Sequence, residues 1–173
     1  SMEVPIIVDF WAPWCGPCKQ LGPMLEKLVT QAGGLVRMVK INVDENKELA
    51  GQMRIQSIPA VFAFKDGQPA DGFVGAQTER QIKDFIGRLI GDAKTPLDAA
   101  LEQAKAAMAN GDIDAAGTIY MDVMRQDPEN TAAIAGLIRC SVTIGKLEHA
   151  QEIIAQLDDK IKIAPEVAAA ISA

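Results

Sequence analysis

Two cysteines three positions apart, Cys15 and Cys18, stand where a β-branched apolar run gives way to a helical pattern. Pro5-Ile6-Ile7-Val8-Asp9-Phe10 has the composition of a buried strand, and from Pro17 to Ala32 the apolar residues Leu21, Leu25, Leu28 and Val29 recur at helical spacing. A strand that feeds a helix this directly places Trp14-Cys15-Gly16-Pro17-Cys18 at the helix start. There the first-turn N–H groups lack helical partners and the helix dipole is positive, so a thiolate is stabilised. Only the thiolate is nucleophilic, which makes Cys15 the expected attacking sulfur. Cys18, one turn further on, is placed to resolve a mixed disulfide. Pro17 suits a first turn whose N–H is unpaired in any case, and Gly16 lets a substrate backbone approach.

The same alternation continues to residue 90. Leu35–Val43 reads as a second strand, Lys47–Met53 as a short helix and Ala60–Lys65 as a third strand. Asp66-Gly67 signals a tight turn into an antiparallel strand at Ala70–Val74. Thr78 to Ile90 reads as an amphipathic helix with Thr78 as N-cap and Gln81 in the capping-box position. These elements predict an α/β layer with a mixed sheet over residues 1–91, followed by a small, polar linker at 92–96.

Beyond the linker, residues 97–173 lose the strand signal and become Ala-rich and helical. Gly111 recurs as Gly145 and Ala116 as Ala150, each 34 positions on, which is the period of tetratricopeptide repeats. Helices are expected at 97–109, 112–126, 131–144 and 147–157, forming two antiparallel pairs. Ala100, Gln103 and Ala107 replace the large residues that usually fill the first helix of that repeat. Pro165–Ala173 reads as the opening of a further helix that stops abruptly. Because two repeats bury too little core alone, and because Ser1-Met2 resembles an artificial start, the natural chain is expected to extend beyond this sequence.

Composition narrows the function. The formal net charge of −6 disfavours binding to a phosphate backbone, so no nucleic-acid partner is expected. No apolar run approaches the roughly 18 residues needed to span a bilayer, and the start has no export-signal pattern. Three cysteines make no disulfide framework, which suits a cytoplasmic protein. Cys15, Cys18, Cys140 and His149 add up to four zinc-type ligands. The Pro inside the first pair and the long gap in the second speak against zinc, so no metal and no cofactor are expected.

The run Val8-Asp9-Phe10-Trp11-Ala12-Pro13-Trp14-Cys15-Gly16-Pro17-Cys18-Lys19 resembles the thioredoxin signature. The likeness continues through Lys40-Ile41-Asn42-Val43-Asp44, Ile58-Pro59-Ala60, Phe64-Lys65-Asp66-Gly67 and Val74-Gly75-Ala76. It covers residues 4–90 and implies a thioredoxin fold, lacking the first strand and helix of the family, followed by an all-α tetratricopeptide-like helical hairpin domain. It also implies that Asp9 is a buried carboxylate assisting Cys18, that Lys40 lies near it, and that Pro59 is a cis-proline facing the cysteines. Ile58 would offer backbone groups to an extended substrate, and Trp14 and Gly75 would complete the docking surface. Blander readings stand beside these: Asp9 as a satisfied core carboxylate, Pro59 as an ordinary strand start and Lys40 as a solvated lysine.

Joined to helical repeats, the motif is similar to the bacterial chaperedoxins, co-chaperones that combine a holdase with redox protection. That resemblance implies a protein-disulfide reductase whose partners are clients with disulfides or unfolded segments, a thioredoxin-reductase-type electron donor and a chaperonin. The alternative is a redox-independent holdase or adaptor that uses the first domain as a platform.

Overall fold

The strand Ile6–Trp11 (β1) organises the first half of the chain, and it is buried on both faces because it is central. In the computed structural model, which describes residues 4–173, it pairs in parallel with Arg37–Asn42 (β2) and antiparallel with Ala60–Lys65 (β3). Gln68–Val74 (β4) completes a sheet of order β2-β1-β3-β4, so four strands are present among the described residues. Between the strands run Gly16–Gln31 (α1), Lys47–Gln52 (α2) and Glu79–Ile90 (α3).

The two-residue period of β1 sorts its side chains. Ile7 joins Leu21, Leu25 and Leu28 of α1 and Ile82, Phe85 and Leu89 of α3 in one core, while Val8 and Phe10 pack on the opposite face with Ala60. Each large apolar side chain buried this way contributes about 1.5–3 kcal/mol. Asp9 therefore enters the Ile7 side of the sheet, against α1. Asp66 and Gly67 both have positive φ (53° and 73°), as a tight hairpin turn requires, and Pro69 sits on the edge strand β4, where a missing N–H is tolerated. At Thr78 both halves of the capping box form: its side chain accepts from the Gln81 N–H, and the Gln81 side chain accepts from the Thr78 N–H.

The chain divides into two units between Thr95 and Pro96. The second contains Pro96–Ala109 (α4), Ile113–Gln126 (α5), Thr131–Thr143 (α6), Leu147–Gln156 (α7), Asp159–Lys162 (α8) and Pro165–Ile171 (α9). Its turns explain the 34-residue spacing: Gly111 and Gly145 follow α4 and α6 with φ of 79° and 75°, conformations that favour glycine. Asp112 and Asn130 cap α5 and α6 by accepting from Ala115 and Ala133 N–H groups at 3.1 and 3.0 Å. Small residues let these helices approach closely. Tyr120 of α5 lies over Gly136 of α6, where a Cβ would fall 2.3 Å from its ring. Val167 and Ala170 of α9 pack against Ile134 and Ile138 of α6, so the segment that reads as an interrupted helix forms a short, packed one. No helix among the described residues is long and apolar enough to cross a membrane.

Candidate active site

Cys15 occupies the N-cap of α1 with extended backbone, and its Sγ accepts a hydrogen bond from the Cys18 N–H at 3.2 Å. The motif thus aims a backbone donor at the sulfur itself. Pro17 lies in the first turn, and the helical advance brings the Cys15 and Cys18 Cα atoms to 5.3 Å, with the two sulfurs joined as a disulfide. Both cysteines are buried against Ala12, Trp11, Val43 and Ile58, whereas Gly16, Pro17 and the 69 % exposed Trp14 stand around them at the surface.

Three further segments converge here. The Ile58–Pro59 peptide is cis, and half-buried Ile58 packs on the cysteine cluster. The Gly75 N–H donates to the Pro59 carbonyl at 2.8 Å, with Gly75 at φ 91°. The Trp14 Nε1–H donates to Asp44 Oδ2 at 2.9 Å, which fixes the exposed indole.

On the inner side, Asp9 is only 1 % exposed and its Oδ1 has no hydrogen-bond partner. It lines a cavity of about 200 Å³ with Trp11, Cys18, Lys19, Pro23 and Lys40. Burial pushes its carboxyl up to about 6; Lys40 opposes that rise and Glu26 adds to it. Lys40 is opposite Asp9 in the β1–β2 register, yet its Nζ is held 2.8 Å from Glu26 Oε1 and 5.3 Å from the Trp11 ring centroid. No ion pair joins it to Asp9 among the described residues. The Lys40–Glu26 pair is about half exposed, so its contribution to stability is of the order of 0.2–1 kcal/mol.

The structure therefore brings Cys15, Cys18, Asp9 and Lys40 around one short stretch of α1, with Trp14, Gly16, Pro17 and Ile58 at its rim and Pro59 bonded to Gly75. Cys140 and His149 belong to the helical unit. Cys140 is buried in α6, its Sγ–H donates to Met108 Sδ at 3.2 Å, and burial raises its thiol pKa. His149 Nδ1 lies 2.9 Å from Ser141 Oγ. No group of three or more His, Cys, Asp or Glu side chains is arranged to hold a metal among the described residues.

Sequence reasoning missed Glu26, Asp44 and the contact of Trp11 with Lys40. A signal existed for Glu26: Cys18, Gly22 and Glu26 are spaced by four and share one stripe of α1. No local pattern predicts the pairing of Trp14 with Asp44, thirty residues away.

Known proteins match both units. A thioredoxin family model matches residues 1–88 and a tetratricopeptide-repeat model residues 107–173. Mitochondrial thioredoxin of Mus musculus is 46% identical over 91 residues, 53% of this chain and 55% of that protein; the chain thus spans about half the length of this relative. Thioredoxin of Haemophilus influenzae is 43% identical over 90 residues, 52% of this chain and 84% of its own length. A solved thioredoxin variant from Halobacterium salinarum has 35% identity and TM-score 0.49, covering 53% of this chain and 80% of that one. Fold and site together define a dithiol protein of the thioredoxin type. The chain belongs to the thioredoxin family, and it joins that domain to helices of the tetratricopeptide-repeat type.

Proposed function

We propose that this protein is a protein-disulfide reductase whose helical unit presents client proteins to the dithiol, in the manner of a chaperedoxin. The observation that carries the reading is the Cys15 sulfur at the N-cap of α1 with the Cys18 N–H pointing at it. In the reduced protein that donor and the helix dipole favour the Cys15 thiolate. Cys15 attacks one sulfur of a client disulfide, forming a mixed disulfide and releasing the other client sulfur as a thiolate. Asp9 then takes the proton of the Cys18 thiol across the shared cavity. The Cys18 thiolate attacks Cys15 Sγ, closes the Cys15–Cys18 bond and releases the second client thiolate, so two electrons pass to the client. A reductase-type donor returns two electrons to the pair.

On this reading an extended client segment would reach Cys15 past Trp14, Ile58 and Gly75, and the acidic chain disfavours nucleic acid as substrate. A cytoplasmic setting fits a dithiol that must be kept reduced. The repeat-type helices support a client-binding role, with handover to a chaperonin as the finer proposal. Insulin reduction tests the chemistry: thiol-dependent turnover is expected, and turnover no greater than that of Cys15→Ser sinks the reading.

A second reading, a redox-independent holdase, draws on the exposed apolar side chains Ile144, Leu147 and Ile163 of the helical unit. If it holds, the Cys15→Ser, Cys18→Ser double variant still suppresses aggregation of a thermally unfolded client. If client protection is lost in that variant, only the enzymatic reading stands.

A further inference from the structure

We propose that Glu26 is a positioning residue for the dithiol: it holds the Lys40 ammonium along α1 and over Trp11, away from Asp9, and so leaves the Asp9 carboxyl free to exchange a proton with Cys18. This rests on the reductase reading above and names a group that acts through another side chain.

The geometry argues for it in two ways. Lys40 pairs in register with Asp9 on neighbouring parallel strands, and their side chains line one cavity, yet the ammonium is drawn to Glu26 at 2.8 Å. Trp11 provides a ring face for the cation at 5.3 Å. Without Glu26, Lys40 would have one carboxylate to turn towards, the unpartnered Oδ1 of Asp9.

The charged and titratable groups around Asp9 are few. Helix α1 supplies Cys18, Lys19 and Glu26, and β2 supplies Lys40; on β3 the register partner is apolar Val61. Lys27 of α1 is engaged elsewhere, 3.4 Å from Glu79 of α3. Glu26 thus acts on Asp9 twice, by direct repulsion and by withholding Lys40, and both effects keep the carboxyl protonatable near neutral pH.

The test is the titration of the Asp9 side-chain carboxyl by carbon-13 NMR in the oxidised full chain, with the pH profile of insulin reduction beside it. In Glu26→Gln the Asp9 midpoint falls by about half a pH unit, and added salt shrinks the difference because the pair is half exposed. In Lys40→Gln the midpoint rises, and Glu26→Gln placed on that background shifts it by less than half as much as in the wild-type chain. An Asp9 titration unchanged in Glu26→Gln overturns the proposal, as does a shift equal in size with and without Lys40, which would leave only a direct field. Thermal unfolding checks that each variant is folded. The NMR readout needs no turnover: a wild-type chain inactive on insulin removes the reductase reading, while the titration still decides the role of Glu26.

Discussion

The two units bury cysteine to the same depth and make opposite use of it. Cys15, Cys18 and Cys140 are 4 %, 5 % and 4 % exposed, so depth does not separate them. Backbone position does. Cys15 caps a helix and receives an N–H donor from the open first turn, whereas Cys140 lies inside α6 and its own S–H is spent on Met108. On the proposed reductase reading, reactivity is set by where the helix begins. The sharpest test compares loss of each thiol. Cys15→Ser is expected to bring insulin reduction down to the uncatalysed level, while Cys140→Ala leaves turnover unchanged. Equal losses in the two variants would break the contrast. In the reduced chain near pH 7, iodoacetamide should modify Cys15 at least ~10-fold faster than Cys140, as mass spectrometry of the labelled peptides would show.

The buried aspartates extend the comparison. Asp9 is sealed under the dithiol, with one oxygen lacking any donor, and its pKa is raised from 3.8 to about 6. Between those values the folded chain retains a proton that the unfolded chain has lost. Stability therefore falls as pH rises through that window, and above it the native state carries a cost of about 3 kcal/mol. Asp9→Asn should then stabilise the oxidised protein by up to about 3 kcal/mol at pH 7.5, an advantage that disappears below about pH 4. Urea unfolding at the two pH values measures it. A gain independent of pH would mean that the cost of Asp9 lies in packing rather than in charge. The same variant should slow closure of the Cys15–Cys18 bond, since a stabilising change that impairs chemistry marks a group kept for its function.

Much of this contrast is legible in the sequence. The strand-to-helix junction, the Asp66-Gly67 turn and the Thr78–Gln81 capping box are local signals, and each leaves its mark within a few residues. The 34-residue spacing is visible because both repeats need a glycine at the same left-handed position, Gly111 and Gly145. What stays hidden is what depends on pairing across the fold. Glu26 looks like any solvated helix residue until β2 brings Lys40 beside it, and Asp44 looks like a loop acid until Trp14 reaches it. Helix α8, only Asp159–Lys162, is too short to show an apolar period.

Helix glycines separate the units on a smaller scale. In the sheet unit, a Cβ at Gly22 meets only the ammonium end of Lys40 at 3.5 Å, an ordinary contact. In the helical unit, a Cβ at Gly136 would strike the buried Tyr120 ring. Gly136→Ala should therefore destabilise by on the order of 2 kcal/mol through forced repacking of α5 on α6, despite the better helix propensity of alanine. Gly22→Ala should be neutral or stabilise by up to about 1 kcal/mol. Denaturant melts monitored by Tyr120 fluorescence and far-ultraviolet circular dichroism distinguish the two, and equal effects would show that the helical core yields as easily as a surface lysine.

The smallest effect returns to the aspartates, this time with the opposite sign. Asp127, 3 % exposed at the end of α5, accepts from Asn130 Nδ2 at 3.2 Å, and its backbone carbonyl accepts from the Asn130 N–H at 3.0 Å. Asn130 in turn caps α6, so Asp127 steadies the side chain that starts the next helix. Asp127→Ala removes an acceptor from a donor that the turn keeps partly buried, and it should destabilise by about 1 kcal/mol. That loss should approach the loss from Asn130→Ala, and the double variant should cost less than the sum, because both changes remove one linked cap. If Asp127→Ala instead stabilised the chain as Asp9→Asn is expected to, burial alone would govern both aspartates. The distinction between a carboxylate held for chemistry and one held for a turn would then be lost.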